Sequence, residues 1–434
     1  MQQILYILLA LVVLLVMITV HEFGHYCAGK VLGFKINEFA IGFGPAIFKR
    51  KKKDGEQFSI RALPLGGFCA FEGEDEDGKD NPEAFNNKPA WKRIIVLVAG
   101  VTFNFLFGIL TAAIYLLVTG YSVPKISASL NPAQTTGSGL QKNDIVLEVD
   151  GKSIEAYRSF TDLLSKYKAG ETFTLTVDRN GEIIEVVSSK QKYDAFYFVA
   201  NSAYFNGKLF AEGGNAVSVD VFTDVIMQSS TAGETADTAG KGSSISAYIT
   251  SLYKDSACTT KYTTEDVDAM LSNGTIAYAS SGVSLGVVIT NIEQKYGFFE
   301  SVGKAWPFCF YLCGLIIDSF VGLFTGAVAV SEAGGTITAI SQIAEISSYG
   351  ISYFLLLLPL LAMNLAVFNI LPIPALDGAR AVFVFIEMIF RKPVNRKVEG
   401  WIHTIGLFIL LGLVVFLDIN HFVSAFRMLQ FLRL

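Results

Sequence analysis

The chain is poor in charged residues and in histidine. Only 17% of its 434 residues are charged, 52% are hydrophobic, and it contains 4 His. So few charges exclude a single soluble domain and indicate a membrane protein. The net charge of -5 is small, so the composition gives no reason to expect a nucleic-acid partner.

Cysteine is scarce too, and the 5 Cys have none of the spacings typical of metal knuckles. Cys309 and Cys313 lie one helical turn apart in an apolar run, where we expect them to pack as small hydrophobic side chains. Cys258 alone falls in the stretch expected outside the cytosol, so no disulfide framework is predicted there.

The N-terminus lacks the marks of a cleaved signal peptide. Residues 4–20 are apolar and uncharged, but no basic residue precedes them and no small-x-small cleavage site follows. We therefore predict a retained transmembrane helix that continues through His25.

The end of that first apolar segment holds two of the four histidines, in the pentad His-Glu-Phe-Gly-His from His21 to His25. On a helix the two imidazoles lie one turn apart on one face, where both can bind a single Zn²⁺. Glu22 would then lie beside the open coordination position as a general base. The alternative is a polar helix end with incidental histidines. Ionisable groups at the edge of a membrane span are costly and usually functional, which favours the metal site.

Three further apolar segments reach or approach the length that crosses a bilayer, at about residues 94–118, 353–371 and 405–417. A fifth run, at 306–324, carries Asp318 and several glycines. An interfacial helix and a full crossing are therefore both open for this run.

Basic residues indicate the orientation of the chain. Clusters of Lys and Arg at residues 50–53 and 391–397 lie between successive spans and predict two cytosolic loops. The N-terminus, residues 121–305 and the C-terminus would then lie outside. The run at 306–324 must then stay on the outer side or pair with another partial insertion.

The exported stretch opens with a pattern of strands, turns and one helix. Strands are predicted at 145–149, 173–177 and 183–187, with a helix near 160–167 and an Asn-Gly turn at Asn180. A Gly-Leu pair at Gly139, followed by Asp144, a strand and Asp-Gly, resembles a PDZ domain, which binds peptides by adding a strand to a sheet edge. A generic small β-rich domain is the alternative.

No chemistry is assigned to residues 191–283. Within them, residues 229–246 are rich in Ser, Thr, Gly and Ala, which is typical of a flexible linker.

A zinc protease site needs a third protein ligand. The best candidate is Asp377, which follows two prolines that break a transmembrane helix, in the decapeptide from Asn369 to Gly378. A structural turn with a solvated Asp is the alternative. The predicted topology brings the ends of the first and third spans to the same side of the membrane, as a shared metal ion would require.

These motifs together resemble the site-2 protease family of intramembrane zinc metalloproteases. The resemblance rests on the pentad, the PDZ-like module and Asn-x-Leu-Pro-x-Pro-x-Leu-Asp-Gly ending at Gly378, and its closest form is the bacterial type that cleaves membrane-bound anti-sigma factors. It implies that His21, His25 and Asp377 bind Zn²⁺ and that Glu22 is the catalytic base.

The resemblance also implies where substrate binds. Residues around Gly42 and Gly44 are similar to the family's membrane-dipping β-hairpin, whose edge would pair with an unwound substrate strand. An ordinary cytosolic hairpin is the alternative. Asn369, and less directly Asn364, resemble polar residues that hold the substrate backbone, although Asn364 could instead join two helices by a hydrogen bond.

We therefore predict a polytopic α-helical membrane protein with about four transmembrane helices, a membrane-dipping β-hairpin and an extracytoplasmic PDZ-like α+β domain. Its parts would be residues 1–120 and 284–434 in the plasma membrane, with 121–190 and 191–283 outside. The active site would lie toward the cytosolic side.

The predicted function is an intramembrane zinc endopeptidase. Its partners would be an anti-sigma-factor-like transmembrane substrate, the lipid bilayer, and a peptide C-terminus or ectodomain at the PDZ-like domain. A non-catalytic PDZ-containing scaffold that binds peptide tails is the alternative. A zinc transporter is disfavoured because these spans carry few acidic or His residues.

Overall fold

Long helices and three groups of strands make up the chain. The computed structural model describes residues 2–53, 55–74, 81–129, 139–168, 170–198, 210, 225–228, 249–250, 252–272, 276–285, 287–327, 334–392 and 394–431. The predicted linker at 229–246 lies outside these residues. The chain divides into two units, Met1–Gly120 with Lys295–Leu434, and Tyr121–Gln294.

The helices, in chain order, are α1 (Gln2–Leu32), α2 (Ala90–Thr119), α3 (Phe160–Ser165), α4 (Thr264–Ser272), α5 (Phe298–Thr325), α6 (Thr336–Ser348), α7 (Ile351–Ile370), α8 (Asp377–Phe390) and α9 (Arg396–Phe431). The strands are β1 (Ile36–Lys51), β2 (Gln57–Phe71), β3 (Tyr121–Ser129), β4 (Ile145–Val149), β5 (Lys152–Ser153), β6 (Thr172–Arg179), β7 (Glu182–Ser189), β8 (Gln191–Phe198), β9 (Val225–Gln228), β10 (Ile276–Ser284) and β11 (Val287–Gln294).

Within the part of the chain that the structure describes, five helices are long and apolar enough to cross a membrane, all in the first unit: α1, α2, α5, α7 and α9. About four were predicted. The run at 306–324, left open between an interfacial and a crossing helix, forms most of α5. The protein is therefore a multi-pass membrane protein rich in long helices, with β-sheet in both units.

Side-chain contacts give the course of α5. Phe308 stacks on Tyr115 near the end of α2, and Phe320 packs edge-on against Phe368 near the end of α7. Helix α5 thus runs antiparallel to α2 and parallel to α7. Helix α6 then packs through Ile343 onto Ala10 near the start of α1.

Helices α1 and α7 run parallel. Ala10 and Leu357 share one apolar cluster near their starts. Further along both helices, His21 of α1 meets Asp377, which follows α7. Helix α1 ends at Gly33, whose φ of +75° is a left-handed conformation that glycine adopts without a steric cost. The N–H of Phe34 then closes the helix on the carbonyl of Gly29.

Strands β1 and β2 form an antiparallel hairpin that folds back on itself. Residues 38–41 of β1 lie opposite residues 67–70 of β2 and also opposite residues 57–60. Gly42 and Gly44 have φ of +86° and +82°, and a Cβ on Gly42 would lie 2.6 Å from the Leu63 carbonyl oxygen. These glycines allow β1 to bend where its partner changes. The folded hairpin keeps the 67–71 segment beside α1.

The second unit contains a sheet in the order β11-β3-β4-β6-β7, with β5 paired to β4. Its core buries Val146, Leu175 and Val177 completely beneath α3. The predicted strands around Asn180 form the hairpin β6–β7, with φ of +56° at Asn180 and +92° at Gly181, the signs that a type I′ turn requires. Because β11 pairs with β3, this unit extends to Gln294.

Candidate metal centre

The two histidines of the pentad lie side by side on α1. Their positions four residues apart put both rings on one helix face. His21 is 6% exposed and His25 is 7% exposed. Their Nε2 atoms are 3.2 Å apart, and the rings meet edge to face. The pair therefore directs both Nε2 atoms at one point inside the helix bundle.

Asp377 reaches the same point from the other end of the sequence. Pro372 and Pro374 prevent α7 from continuing, and the chain turns through Ala375 at a φ of +78° before α8 begins at Asp377. The turn is fixed by the Ala375 N–H, which donates to Nδ1 of His403 on α9 at 3.0 Å. The Asp377 Oδ2 atom lies 2.8 Å from His21 Nε2 and 3.2 Å from His25 Nε2.

These three donor atoms fit a metal ion. His21, His25 and Asp377 can each offer one ligand atom, and the three atoms lie within 4.8 Å of one another. Zinc takes nitrogen and oxygen ligands at about 2.0–2.1 Å, which in a tetrahedral site puts the donor atoms about 3.3–3.5 Å apart. The observed spacings of 2.8 and 3.2 Å approach that value. A small outward shift of the carboxylate would complete the site.

Helix α2 lies behind both imidazoles. His25 Nδ1 donates to the backbone carbonyl of Val96 at 2.8 Å, which keeps the proton on Nδ1 and leaves the Nε2 lone pair for a cation. His21 Nδ1 lies 3.2 Å from the side-chain amide of Asn104, which is completely buried. The outer nitrogens of both histidines are thus engaged by one helix.

Glu22 is held by the hairpin. Its Oε2 atom accepts a hydrogen bond of 3.0 Å from the backbone N–H of Cys69 in β2. Gly67 brings the strand close, since a Cβ there would lie 3.8 Å from Glu22 Cγ. One carboxylate oxygen is therefore anchored next to the histidine pair, and Oε1 remains for other partners.

Two glycines let α1 and α2 approach closely at the site. A Cβ on Gly24 would lie 2.5 Å from the Ala99 carbonyl oxygen. A Cβ on Gly100 would lie 2.5 Å from His25 Nε2 and 2.7 Å from His21 Cε1. Small residues at helix crossings permit such contact between backbones in membranes. The space that the histidines occupy exists because residue 100 has no side chain.

The other residues predicted to act on substrate lie in different parts of the first unit. Asn369 lines a cavity of about 240 Å³ together with Asp377 and apolar side chains of α2 and α8. Asn364 is half-buried on α7 and does not line that cavity. Gly42 and Gly44 lie at the bend of β1, where their positive φ values already explain why glycine stands there.

Sequence reasoning missed four contributors to the site. No sequence motif predicted these contributors, which are Asn104, Gly100, and the backbone groups of Val96 and Cys69. Each matters only because α2 or β2 packs against the pentad. The signal that could have found Asn104 is a polar residue inside an otherwise apolar span.

Comparison with known proteins agrees with the geometry. Residues 9–413 match the sequence pattern of Peptidase family M50. A candidate zinc metalloprotease of Fusobacterium nucleatum is 27% identical over 416 residues, which cover 95% of this chain and 97% of that protein. A candidate zinc metalloprotease of Vibrio cholerae is 27% identical over 432 residues, covering 93% and 96%. The regulator of sigma E protease of Haemophilus influenzae is 26% identical over 455 residues, covering 95% and 97%. The chain therefore belongs to peptidase family M50, the site-2 protease family, and it is a zinc metalloprotease.

Proposed function

We propose that this protein is an intramembrane endopeptidase that cuts transmembrane segments of other membrane proteins. The observation that carries the proposal is the meeting of His21, His25 and Asp377 within 4.8 Å, beside Glu22, among helices apolar enough to cross a membrane. Buried ionisable groups are costly in such a setting and are retained for function.

We propose His21, His25 and Asp377 as the residues that hold the zinc ion. A Zn²⁺ ion in this position supplies Lewis acidity, lowering the pKa of water and withdrawing charge from a carbonyl oxygen. The donor set of two imidazoles and one carboxylate is typical of a catalytic zinc site that keeps one position open.

Glu22 is the proposed general base. Its Oε2 is fixed by the Cys69 N–H at 3.0 Å, so the side chain keeps one orientation. The carboxylate accepts a proton from the attacking water and later delivers it to the leaving amine of the cut peptide bond. The general base thereby serves both halves of the hydrolysis.

The hairpin and Asn369 are proposed to hold the substrate. A substrate helix hydrogen-bonds every amide internally, so it must unwind before a peptide bond becomes accessible. Pairing with the edge of the hairpin, bent at Gly42 and Gly44, would compensate for the lost bonds. The hairpin also exposes Phe43, Ile47 and Leu63, as expected of a segment that dips into lipid. Asn369, and with it Asn364, would bind the unwound backbone.

The natural substrate is proposed to be an anti-sigma factor or a similar membrane-bound signalling protein. The support is the relative named regulator of sigma E protease. Residues 121–190, within the second unit, are proposed to form a PDZ-like domain outside the cytosol that selects substrates by their ectodomain or by a newly formed C-terminus. The basic clusters at residues 50–53 and 391–397 support an active site toward the cytosolic side of the plasma membrane.

The test is cleavage of a transmembrane substrate by the full-length chain reconstituted in lipid. We expect Glu22→Gln to lower the cleavage rate by about 10²–10⁴-fold, because general acid–base transfer contributes that much. The amide keeps an oxygen that can accept from the Cys69 N–H, so zinc content and unfolding temperature should match the unmodified protein. Equal cleavage by both proteins would refute the assignment of Glu22. If neither protein cut the substrate at all, the alternative of a non-catalytic peptide-binding scaffold would be favoured.

A further inference from the structure

Asn104 is an unusual residue for the middle of α2. Its side chain is polar in a mostly apolar stretch of the helix, it is 0% exposed, and its amide meets His21. Its Nδ2 atom lies 3.2 Å from His21 Nδ1, whereas its buried Oδ1 atom has no hydrogen-bond partner among the described residues. In this orientation the amide offers its nitrogen to His21 and leaves its oxygen unpaired.

The position of the proton on His21 decides which atom of the amide can pair with it. A donor Nδ2 facing Nδ1 requires a bare Nδ1, and the proton must then lie on Nε2, where it can donate to Asp377 at 2.8 Å. That tautomer cannot offer Nε2 to a cation. In the other tautomer Nδ1 carries the proton, and it needs an acceptor where the amide now stands. Rotating the amide by about 180° supplies that acceptor, because the nitrogen and oxygen of Asn are nearly isosteric.

His25 shows the arrangement that a ligand histidine requires. Its Nδ1 donates to the Val96 carbonyl at 2.8 Å, so its Nε2 is always free of a proton in the neutral ring. Val96 and Asn104 are eight residues apart on the same helix, opposite the two histidines. One ring therefore meets a fixed acceptor, and the other meets an amide that can either donate or accept.

We infer that Asn104 is a positioning residue for His21: its buried amide accepts from Nδ1–H, which leaves the Nε2 atom of the ring unprotonated toward the metal ion. The inference rests on the proposed zinc site. The amide can take either orientation, and the one that places Oδ1 against Nδ1 fixes the tautomer that a ligand histidine requires.

Three variants separate this role from simple packing. Asn104→Leu keeps a similar volume but removes the acceptor, so His21 Nδ1–H would be buried without a partner. Asn104→Asp can only accept, so it keeps the tautomer that the metal needs. Thr111→Val is the matched control, because Thr111 is also buried on α2, seven residues further on, and among the described residues its hydroxyl bonds only to Phe107 and Gly108 of its own helix.

The measurement is zinc affinity of the full-length protein by competition with a chelator. We expect Asn104→Leu to weaken zinc binding by about 10–100-fold, the usual effect of losing an outer partner of a ligand histidine. Asn104→Asp should recover most of the affinity, and Thr111→Val should leave it unchanged. In zinc-loaded protein labelled with ¹⁵N-histidine, the His21 ring should carry its proton on Nδ1.

The outcomes are distinguishable from those of the proposed function. Zinc affinity in Asn104→Leu equal to that of the unmodified protein would overturn the inference and leave the zinc site standing. Equal losses in Asn104→Leu and Asn104→Asp, with the fold intact by thermal unfolding, would also overturn it, because packing rather than hydrogen bonding would then be responsible. If Asp377→Ala, measured alongside, binds zinc as tightly as the unmodified protein, the proposed site fails and the role of Asn104 fails with it.

Discussion

Gly100 offers the sharpest test of how the site is built. In Gly100→Ala the new methyl group would start 2.5 Å from His25 Nε2 and 2.7 Å from His21 Cε1. Ordinary contact of a Cβ begins at 3.4 Å, so the two rings would have to retreat by about 0.9 and 0.7 Å. Metal–ligand distances tolerate about 0.2 Å. The substitution therefore displaces both histidines by several times the tolerance of the site.

We expect Gly100→Ala to lower zinc affinity by about 100-fold or more, since it moves two ligands where loss of one outer partner already costs about 10–100-fold. The assay is competition with a chelator on the full-length protein in detergent, with thermal unfolding measured in parallel. Alanine is the better helix former by about 1 kcal/mol, so a loss of zinc without a matching loss of helix stability would localise the effect to the histidines.

Gly108→Ala is the matched control on the same helix. A Cβ there would press mainly on the terminal methyl of Met363, the far end of a flexible side chain that can move aside. We expect its zinc affinity to equal that of the unmodified protein. Unchanged affinity in Gly100→Ala, or an equal loss in Gly108→Ala, would refute the reasoning that residue 100 makes room for the histidine pair.

Two further predictions concern stability and the Asp377 turn. Glu387 accepts hydrogen bonds from Arg93 at 2.5 Å and from Arg396 at 2.7 Å, and both Glu387 and Arg93 are buried. Because Glu387→Met leaves the Arg93 charge buried without its partner, it should lower the free energy of unfolding by about 3–5 kcal/mol. Adding Arg93→Met should recover most of that loss in chemical unfolding; no recovery would mean that the charge pair is not the cause. His403→Leu removes the acceptor of the Ala375 N–H, which should cost about 1–3 kcal/mol and also weaken zinc binding by loosening the turn before Asp377. Unfolding and chelator competition measure the two effects, and zinc affinity equal to that of the unmodified protein would show that His403 does not position Asp377.

The sequence predicted the parts of the site that depend on local spacing. His21 and His25 share a helix face because they are four residues apart, and two prolines mark the turn before Asp377. Because the first and third predicted spans run in the same direction, the sequence also predicted that these two motifs lie on the same side of the membrane.

What the sequence did not predict depends on contacts between distant segments. Asn104 faces His21 only because α1 and α2 cross where Gly24 and Gly100 allow it, and hydropathy says nothing about which face of a span meets which neighbour. The sequence left the run at 306–324 open between an interfacial and a crossing helix because Asp318 interrupts it, and it gave no sign that Phe320 of α5 packs on Phe368 of α7. The pairing of β11 with β3 joins strands about 160 residues apart, beyond the range of any turn signal.

The most direct test of the account is the amount of zinc bound per chain. The unmodified protein and Glu22→Gln should each retain one tightly bound Zn²⁺ after purification, because Glu22 is proposed to transfer protons and not to bind the ion. Asp377→Ala should lose most of it, since one of the three proposed ligands is gone. A full complement of zinc in Asp377→Ala would contradict the shared metal centre and, with it, the proteolytic mechanism.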